Sequence, residues 1–272
     1  MRLGIGLPTT TPGTDGATLV EWARTAEDST LSSLAVLDRL VYDSVEPFVA
    51  LAAAAAVTRR IRLATMIAIG PLRSAGLLAK QTGSLARVSG DRFTLGLGVG
   101  ARLDDYRAAE ADHRTRGARL SAQLTQLRTD PATKDVELLV GGTSGAGLAR
   151  MARYADGYAH GGGPPRAFAA AADRARAAWG DLGRPGAPAL WGQGYFALGG
   201  AAEATAGQDY LRDYYAFTGP FAAKIAAGCL CDARAIRDFV RGYQEAGCDE
   251  LVLLPTSSDP TQLHRLLEVL GE

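Results

Sequence analysis

Two glycine-rich segments are the parts of this sequence whose composition most directly suggests chemistry. The first is Gly141-Gly142-Thr143-Ser144-Gly145, directly before a helical pattern, and the second is His160-Gly161-Gly162-Gly163-Pro164. Glycines let backbone N–H groups approach an anion, and a helix N-terminus adds a favourable dipole. A plain helix cap would explain the first segment, and a flexible surface loop the second. Taken as neighbours, the two segments predict a split phosphate-binding site.

An acid and a base stand side by side in Leu37-Asp38-Arg39-Leu40, after the second apolar run of the chain. A carboxylate and a guanidinium at the end of a strand could bind a polar heterocycle and take part in catalysis. An exposed surface ion pair is the alternative. We therefore treat Asp38 and Arg39 as the candidate catalytic residues.

The elements that must position these residues are eight short apolar runs alternating with helical patterns. The predicted strands are residues 2–7, 33–37, 62–69, 93–99, 137–140, 157–160, 190–198 and 250–254, and one long helix is predicted over 103–128. Strands separated by helices imply parallel pairing with right-handed crossovers. The α/β pattern predicts one (β/α)8 TIM barrel over residues 1–272, because a closed sheet leaves no edge exposed. An open doubly wound sheet is the alternative. Trp191 and Tyr195 belong either to the core or to a substrate wall.

Composition excludes several functional classes. The formal net charge is zero, which argues against a nucleic-acid partner or an anionic membrane surface. The three cysteines and three histidines lack the paired spacing of a zinc site, so no metal is expected. No signal peptide is recognisable, and the apolar run 49–57 is too short to span a bilayer. We predict a soluble, cytoplasmic protein.

Short motifs along almost the whole chain resemble the luciferase-like oxidoreductase family, which includes flavin monooxygenases and enzymes that use the deazaflavin coenzyme F420. Each motif is weak alone, and the order and spacing of the series carry the resemblance. The matching stretches are residues 32–40 (SSLAVLDRL), 62–65 (RLAT), 78–81 (LAKQ), 89–93 (SGDRF), 95–100 (LGLGVG), 115–120 (TRGARL), 139–142 (LVGG), 154–158 (YADGY) and 246–251 (AGCDEL).

The resemblance implies a cofactor, F420 or FMN, whose ring lies against the third and fourth strands. A bulge is often found there in the family, sometimes with a cis peptide, which here would fall near Met66-Ile67. The implied phosphate contacts are Gly141, Gly142, Thr143, Gly161 and Gly162. The other expected cofactor contacts are Thr65, Met66, Ile67, Gly98, Asp104 and His160. Asp38 and Arg39 match the position where an Asp-His or Glu-His pair often meets the ring. Arg39 stands at the position where the family often has histidine, so the resemblance does not assign a proton donor.

The leading functional hypothesis is hydride transfer between a reduced cofactor, F420 or FMN, and a small organic substrate. A flavin-dependent monooxygenase is one alternative, and a non-catalytic ligand-binding homologue is another. A homodimer is one expected state of the chain. Four arginines near strand ends favour F420, whose tail is anionic: Arg39, Arg73, Arg102 and Arg166. The alternative is that these arginines pair with Asp104, Asp105 and Glu46.

Overall fold

A closed barrel of eight parallel strands forms the centre of the computed structural model, which describes residues 1–271. Each strand pairs with the next, and the last pairs with the first. The strands are β1 (Arg2–Gly6), β2 (Ser33–Val36), β3 (Arg62–Ile69), β4 (Phe93–Gly98), β5 (Glu137–Gly141), β6 (Gly157–Ala159), β7 (Ala189–Phe196) and β8 (Glu250–Pro255). The predicted (β/α)8 barrel is confirmed, and the open sheet is excluded.

Helices cover the outside of the barrel and part of its mouth, the end at which the strands' carboxyl termini lie. They are α1 (Gly16–Asp28), α2 (Pro47–Val57), α3 (Ala75–Ser89), α4 (Leu103–Ala108), α5 (Arg116–Thr129), α6 (Gly145–Tyr154), α7 (Pro165–Asp181), α8 (Ala201–Tyr214), α9 (Phe221–Ala227), α10 (Ala233–Glu245) and α11 (Thr261–Leu270). Within residues 1–271, no helix is long and apolar enough to cross a bilayer.

The long helix predicted over 103–128 is wrong, because the chain breaks it into α4, a short 3-10 turn and α5. Glu110 adopts a left-handed backbone with φ of 50°, which cannot continue a helix. The ring of His113 then packs edge-on against Tyr106, with ring centres 4.9 Å apart. No glycine or proline marks this break, so helical periodicity alone missed it.

Alternate residues of each strand face the barrel interior and the surrounding helices. Trp191 belongs to the inner layer and is fully buried, which assigns it to the core. On β7 the inward series continues through Gln193 to Tyr195, which both lie near the mouth. The barrel is therefore filled in its lower part and lined by polar side chains near its top.

The connection between β7 and α10 is long and carries α8 and α9 over the mouth. The Tyr210 hydroxyl of α8 hydrogen-bonds the Thr10 hydroxyl after β1, at 2.8 Å. Tyr214 meets Tyr42 after β2, with ring centres 5.2 Å apart. These tyrosines form a roof over the β1–β2 side and leave the β3–β7 side open.

Candidate active site at the barrel mouth

A bulge in β3 shapes the open side of the mouth. Thr65 pairs with Leu95 but Ala68 pairs with Leu97, so β3 holds one extra residue there. The bulge contains Met66-Ile67, joined by a cis peptide bond. The bulge and the cis peptide thus occur at the expected position.

Glycines on β4 make room for the bulged segment. A Cβ atom on Gly98 would collide with the end of the Ile67 side chain, and one on Gly96 would collide with the carbonyl oxygen of Thr65. Gly100 has a φ of 65°, and a Cβ there would lie 2.7 Å from Ile69. The glycine spacing of β4 is therefore a steric requirement of the neighbouring strand.

A cavity of about 270 Å³ opens directly over this bulge. It brings together most of the predicted cofactor contacts and adds several residues that the sequence did not single out. The lining residues are Met66, Ile67, Gly98, Val99, Gly100, Ala101, Gly141, Gly142, Ala159, His160, Gly161 and Gln193. We call this space the ring cavity.

Four predicted cofactor contacts lie outside the ring cavity: Thr65, Asp104, Thr143 and Gly162. Thr65 is fully buried on the outward face of β3, and its hydroxyl donates to the carbonyl oxygen of Gly96 at 2.7 Å. Its neighbours Ala64 and Met66 face inward, and successive strand residues point to opposite faces. Asp104 lies in the first turn of α4, where its carboxylate meets Arg102 at 2.5 Å.

Asp38 is buried and paired with Arg73 rather than with Arg39. Its carboxylate accepts hydrogen bonds from Arg73 at 2.6 Å and from the backbone N–H of Ile69 at 2.8 Å. Arg73 also reaches Glu46 at 2.8 Å. The side chain of Asp38 is 3% exposed, so the exposed ion pair considered as an alternative is wrong. Asp38 therefore links the segment after β2 to Ile69, the last residue of the bulged strand β3.

Arg39 lies in a second buried network, under the tyrosine roof. Its Nε is 3.4 Å from Asp105 Oδ2, and its guanidinium donates to the carbonyl oxygen of Tyr214 at 3.2 Å. The guanidinium also lies over the rings of Tyr42 and Tyr214, 4.7 and 5.0 Å from their centres. Neither Asp38 nor Arg39 lines the ring cavity.

The arginines of the mouth are largely neutralised by acids. Arg39 pairs with Asp105, Arg73 with Asp38 and Glu46, and Arg102 with Asp104 and Asp105. Arg166 is exposed at the start of α7. The net positive charge on which the preference for F420 rested is therefore cancelled at three of the four arginines.

The two glycine loops adjoin each other and a cation that the sequence analysis missed. Gly142 has a φ of 125° and leads into α6, whose first N–H groups have no partner within the helix. Arg174 of α7 donates to the carbonyl oxygen of Thr143 at 3.2 Å. No carboxylate of residues 1–271 lies within 4.0 Å of Arg174, so its charge is available to an anion at this loop. A cation placed by a distant helix carries no local signal in the sequence.

Two side chains at the edge of the ring cavity hold buried polar atoms with no partner. Gln193 Oε1 is one, and His160 Nδ1 is the other. Burial, and then the positive charge of Arg174, lower the pKa of His160 from 6.5 to about 4. Its imidazole is therefore neutral at ordinary pH and offers one donor and one acceptor. Polar groups left unpaired beside an apolar cavity are typical of a ligand site.

A larger groove, of about 790 Å³, lies elsewhere on the molecule. It runs along α3 on the outside of the barrel, between Gly76 and Val88, and reaches the turn at Asp130. In a TIM barrel the reacting groups gather at the carboxyl ends of the strands. Size alone therefore does not identify the site, and the smaller ring cavity is the better candidate.

Comparison with known proteins identifies the family. Residues 1–129 match the family described as luciferase-like monooxygenase. An uncharacterized protein of Mycobacterium tuberculosis is 31% identical over 196 residues, an alignment that covers 56% of this chain and 68% of the relative. The chain belongs to the luciferase-like monooxygenase family.

Solved structures share the fold of this chain. An F420-dependent secondary alcohol dehydrogenase, in complex with an F420-acetone adduct, gives a TM-score of 0.80 at 14% identity and covers 99% of this chain and 98% of its own. The oxygenating constituent of 3,6-diketocamphane monooxygenase from Pseudomonas putida, in complex with FMN, gives 0.72 at 13% identity, covering 100% and 97%. At these identities the likeness shows the luciferase-like fold.

Proposed function

We propose that this luciferase-like protein is an oxidoreductase that binds F420 or FMN in the ring cavity and transfers hydride to a small organic substrate. The observation that carries the proposal is the cavity itself. It has a glycine-lined apolar floor, unpaired polar atoms at one edge and, at one end, the N-terminus of α6 beside Arg174. A flat heterocycle carrying a phosphate would match these three features.

The residues present fit such a group. The first N–H groups of α6 and the guanidinium of Arg174 would hold the phosphate. The carboxamide of Gln193 would accept from a ring N–H, since its Oε1 has no partner in the protein. Met66-Ile67 and the glycines of β4 would form the flat surface under the ring. When bound, either cofactor would supply the hydride chemistry.

The chain's own contribution is binding, orientation and exclusion of water. The Asp38–Arg73 pair fixes the carboxyl end of β3, and with it the cavity floor. The tyrosine roof covers the β1–β2 side of the mouth, which limits access of water from that side. A rigid floor and a covered mouth suit a hydride-transfer site, because the hydride donor and acceptor atoms must be held in contact.

The test is a titration of purified protein with FMN and with F420, followed by cofactor fluorescence. Saturable binding of one cofactor that is weakened much more in Gly142→Asp than in Gly142→Asn supports the proposal, because the two variants share the strain at this positive φ and nearly the same shape, and differ in charge. Binding of neither cofactor would refute it in favour of a non-catalytic homologue. Oxygen consumption during turnover would instead assign the monooxygenase activity.

A further inference from the structure

A second cavity, of about 470 Å³, adjoins the ring cavity at Gly161. It lies between the loop from β6 to α7, the end of β7, and helices α9 and α10. Its volume falls within the range of small-molecule sites, about 300–1,000 Å³. We call it the side cavity.

The walls of the side cavity are mostly apolar and aromatic. Phe239 of α10 lies against β7 because position 194 is glycine, where a Cβ atom would be 2.5 Å from the ring. Ile225 and Phe221 of α9 form the opposite wall, and Phe221 is 55% exposed at the rim. Lys224 is the charged residue in this lining. It is exposed, and its Nζ lies over the ring of Phe221. Transferring a charged ligand into such a space would cost its hydration without a buried partner.

One pair of hydroxyl groups interrupts this apolar wall. The hydroxyls of Tyr195 and Tyr215 are 2.7 Å apart, and neither has another partner within residues 1–271. In such a pair one hydroxyl donates to the other, so one O–H remains available for a ligand oxygen. Burial raises the pKa of Tyr195 well above its ordinary value, which keeps this donor protonated.

The pair also lies beside the ring cavity. Tyr195 and Gln193 are two residues apart on the inner face of β7, about 6–7 Å along the strand. Gln193 lines the ring cavity and Tyr195 lines the side cavity. A molecule in the side cavity whose oxygen meets the tyrosine pair would therefore have that oxygen next to the ring cavity.

From this arrangement we infer that the side cavity binds the organic substrate, and that the substrate is an uncharged aromatic or alicyclic compound with a carbonyl oxygen. The apolar walls would hold the hydrocarbon part, and the Tyr195–Tyr215 pair would donate to the carbonyl oxygen. This inference rests on the proposed function, since it places the substrate against the ring cavity.

The experiment uses 2-acetylnaphthalene as the probe and 2-ethylnaphthalene as the analogue without oxygen, with calorimetry on cofactor-free protein. We expect the ketone to bind. Its affinity should fall at least ~10-fold in Ile225→Asp, because a carboxylate in the wall cannot be desolvated cheaply, and by a smaller factor in Phe221→Asp, which removes an aromatic ring from the rim. Phe221→Asp is included because an exposed position tolerates the change. Leu182→Asp, at an exposed position after α7, is the matched control and should bind as wild type.

The double variant Tyr195→Phe/Tyr215→Phe tests the hydrogen bond. It keeps both rings and removes both hydroxyls, so ketone affinity should fall about 5-fold while the affinity for 2-ethylnaphthalene stays the same. The inference is overturned if the wild type does not bind the ketone, or if both wall variants bind it normally. Equal losses for the two probes would overturn the assigned role of the hydroxyl pair.

Failure of the inference can be told apart from failure of the proposed function. FMN and F420 are titrated into the same wall variants and into Gly142→Asp. If the cofactors bind but the wall variants leave ketone binding unchanged, the substrate site lies elsewhere and the proposed function stands. If the ketone binds through these walls and neither cofactor binds, the side cavity is a ligand site and the proposed function fails.

Discussion

Replacing Asp38 by alanine should destabilise the protein far more than replacing a partly exposed acid of the same mouth. The change removes the carboxylate that faces Arg73 at 2.6 Å and the acceptor of the Ile69 N–H. Both partners are buried or nearly so, with the Arg73 side chain 11% exposed. Breaking a buried ion pair by removing one partner costs about 3–5 kcal/mol. We expect the lower end, about 3 kcal/mol, because Arg73 keeps its contact with Glu46.

The assay is thermal and urea unfolding of Asp38→Ala, Arg73→Ala and the double variant. A loss of about 3 kcal/mol corresponds to a fall in Tm of roughly 6–12 °C for a chain of this size. The double variant should lose less than the sum of the two single variants, by about 2 kcal/mol, because the second change removes the charge that the first left unpaired. Asp38→Asn should lose less than Asp38→Ala, since an amide oxygen can still accept from Ile69.

Asp104→Ala is the matched control. Its pair with Arg102 is partly exposed, with the Asp104 side chain 41% accessible, so its loss should cost less than about 1 kcal/mol. If Asp38→Ala costs no more than Asp104→Ala, the buried network does not stabilise the barrel mouth. The sequence hypothesis that Asp38 and Arg39 are catalytic predicts a loss of turnover of at least ~10-fold in either alanine variant. Wild-type turnover in a stable Asp38→Asn variant would remove the Asp38 carboxylate from the chemistry.

Further predictions concern the cofactor loops and the cavity floor. In a fluorescence titration, Arg174→Ala should bind the cofactor about 10-fold more weakly than the wild type. Arg166→Ala, on the same helix, should bind it as the wild type does. Equal effects of the two substitutions would contradict a phosphate site at Thr143. Gly98→Ala should lower Tm and cofactor affinity, because its Cβ would collide with Ile67, and unchanged values of both would rule out this steric role. The stability that neutral His160 contributes is present above pH 6.5 and is lost as pH falls towards 4, because the unfolded state takes up a proton that the folded imidazole does not. The difference between these two pKa values, 6.5 and about 4, corresponds to about 3 kcal/mol. The unfolding free energy should therefore fall less over this pH range in His160→Phe than in the wild type. Parallel pH profiles for the two proteins would contradict this prediction.

The fold and the position of the site could be predicted from the sequence because they depend on local patterns. Buried parallel strands are continuous apolar runs, and each of the eight predicted runs overlaps a strand of the barrel. The glycines at 141–142 and 161 line the ring cavity, and the positive φ of Gly142 is a conformation that favours glycine. The bulge at Met66-Ile67 could be anticipated through the family resemblance, and not from propensity.

Only the tertiary structure decided which side chains meet. Asp38 and Arg39 are adjacent in sequence, yet they bind Arg73 and Asp105 in separate networks. The alternation of side chains along β3 turns Thr65 away from the ring cavity. Arg174 and the tyrosine roof come from helices far along the chain, and the side cavity exists only where α9 and α10 approach β7. Periodicity and glycine spacing describe a segment and its neighbours, whereas ion pairs and cavities arise from the packing of segments that are distant in sequence.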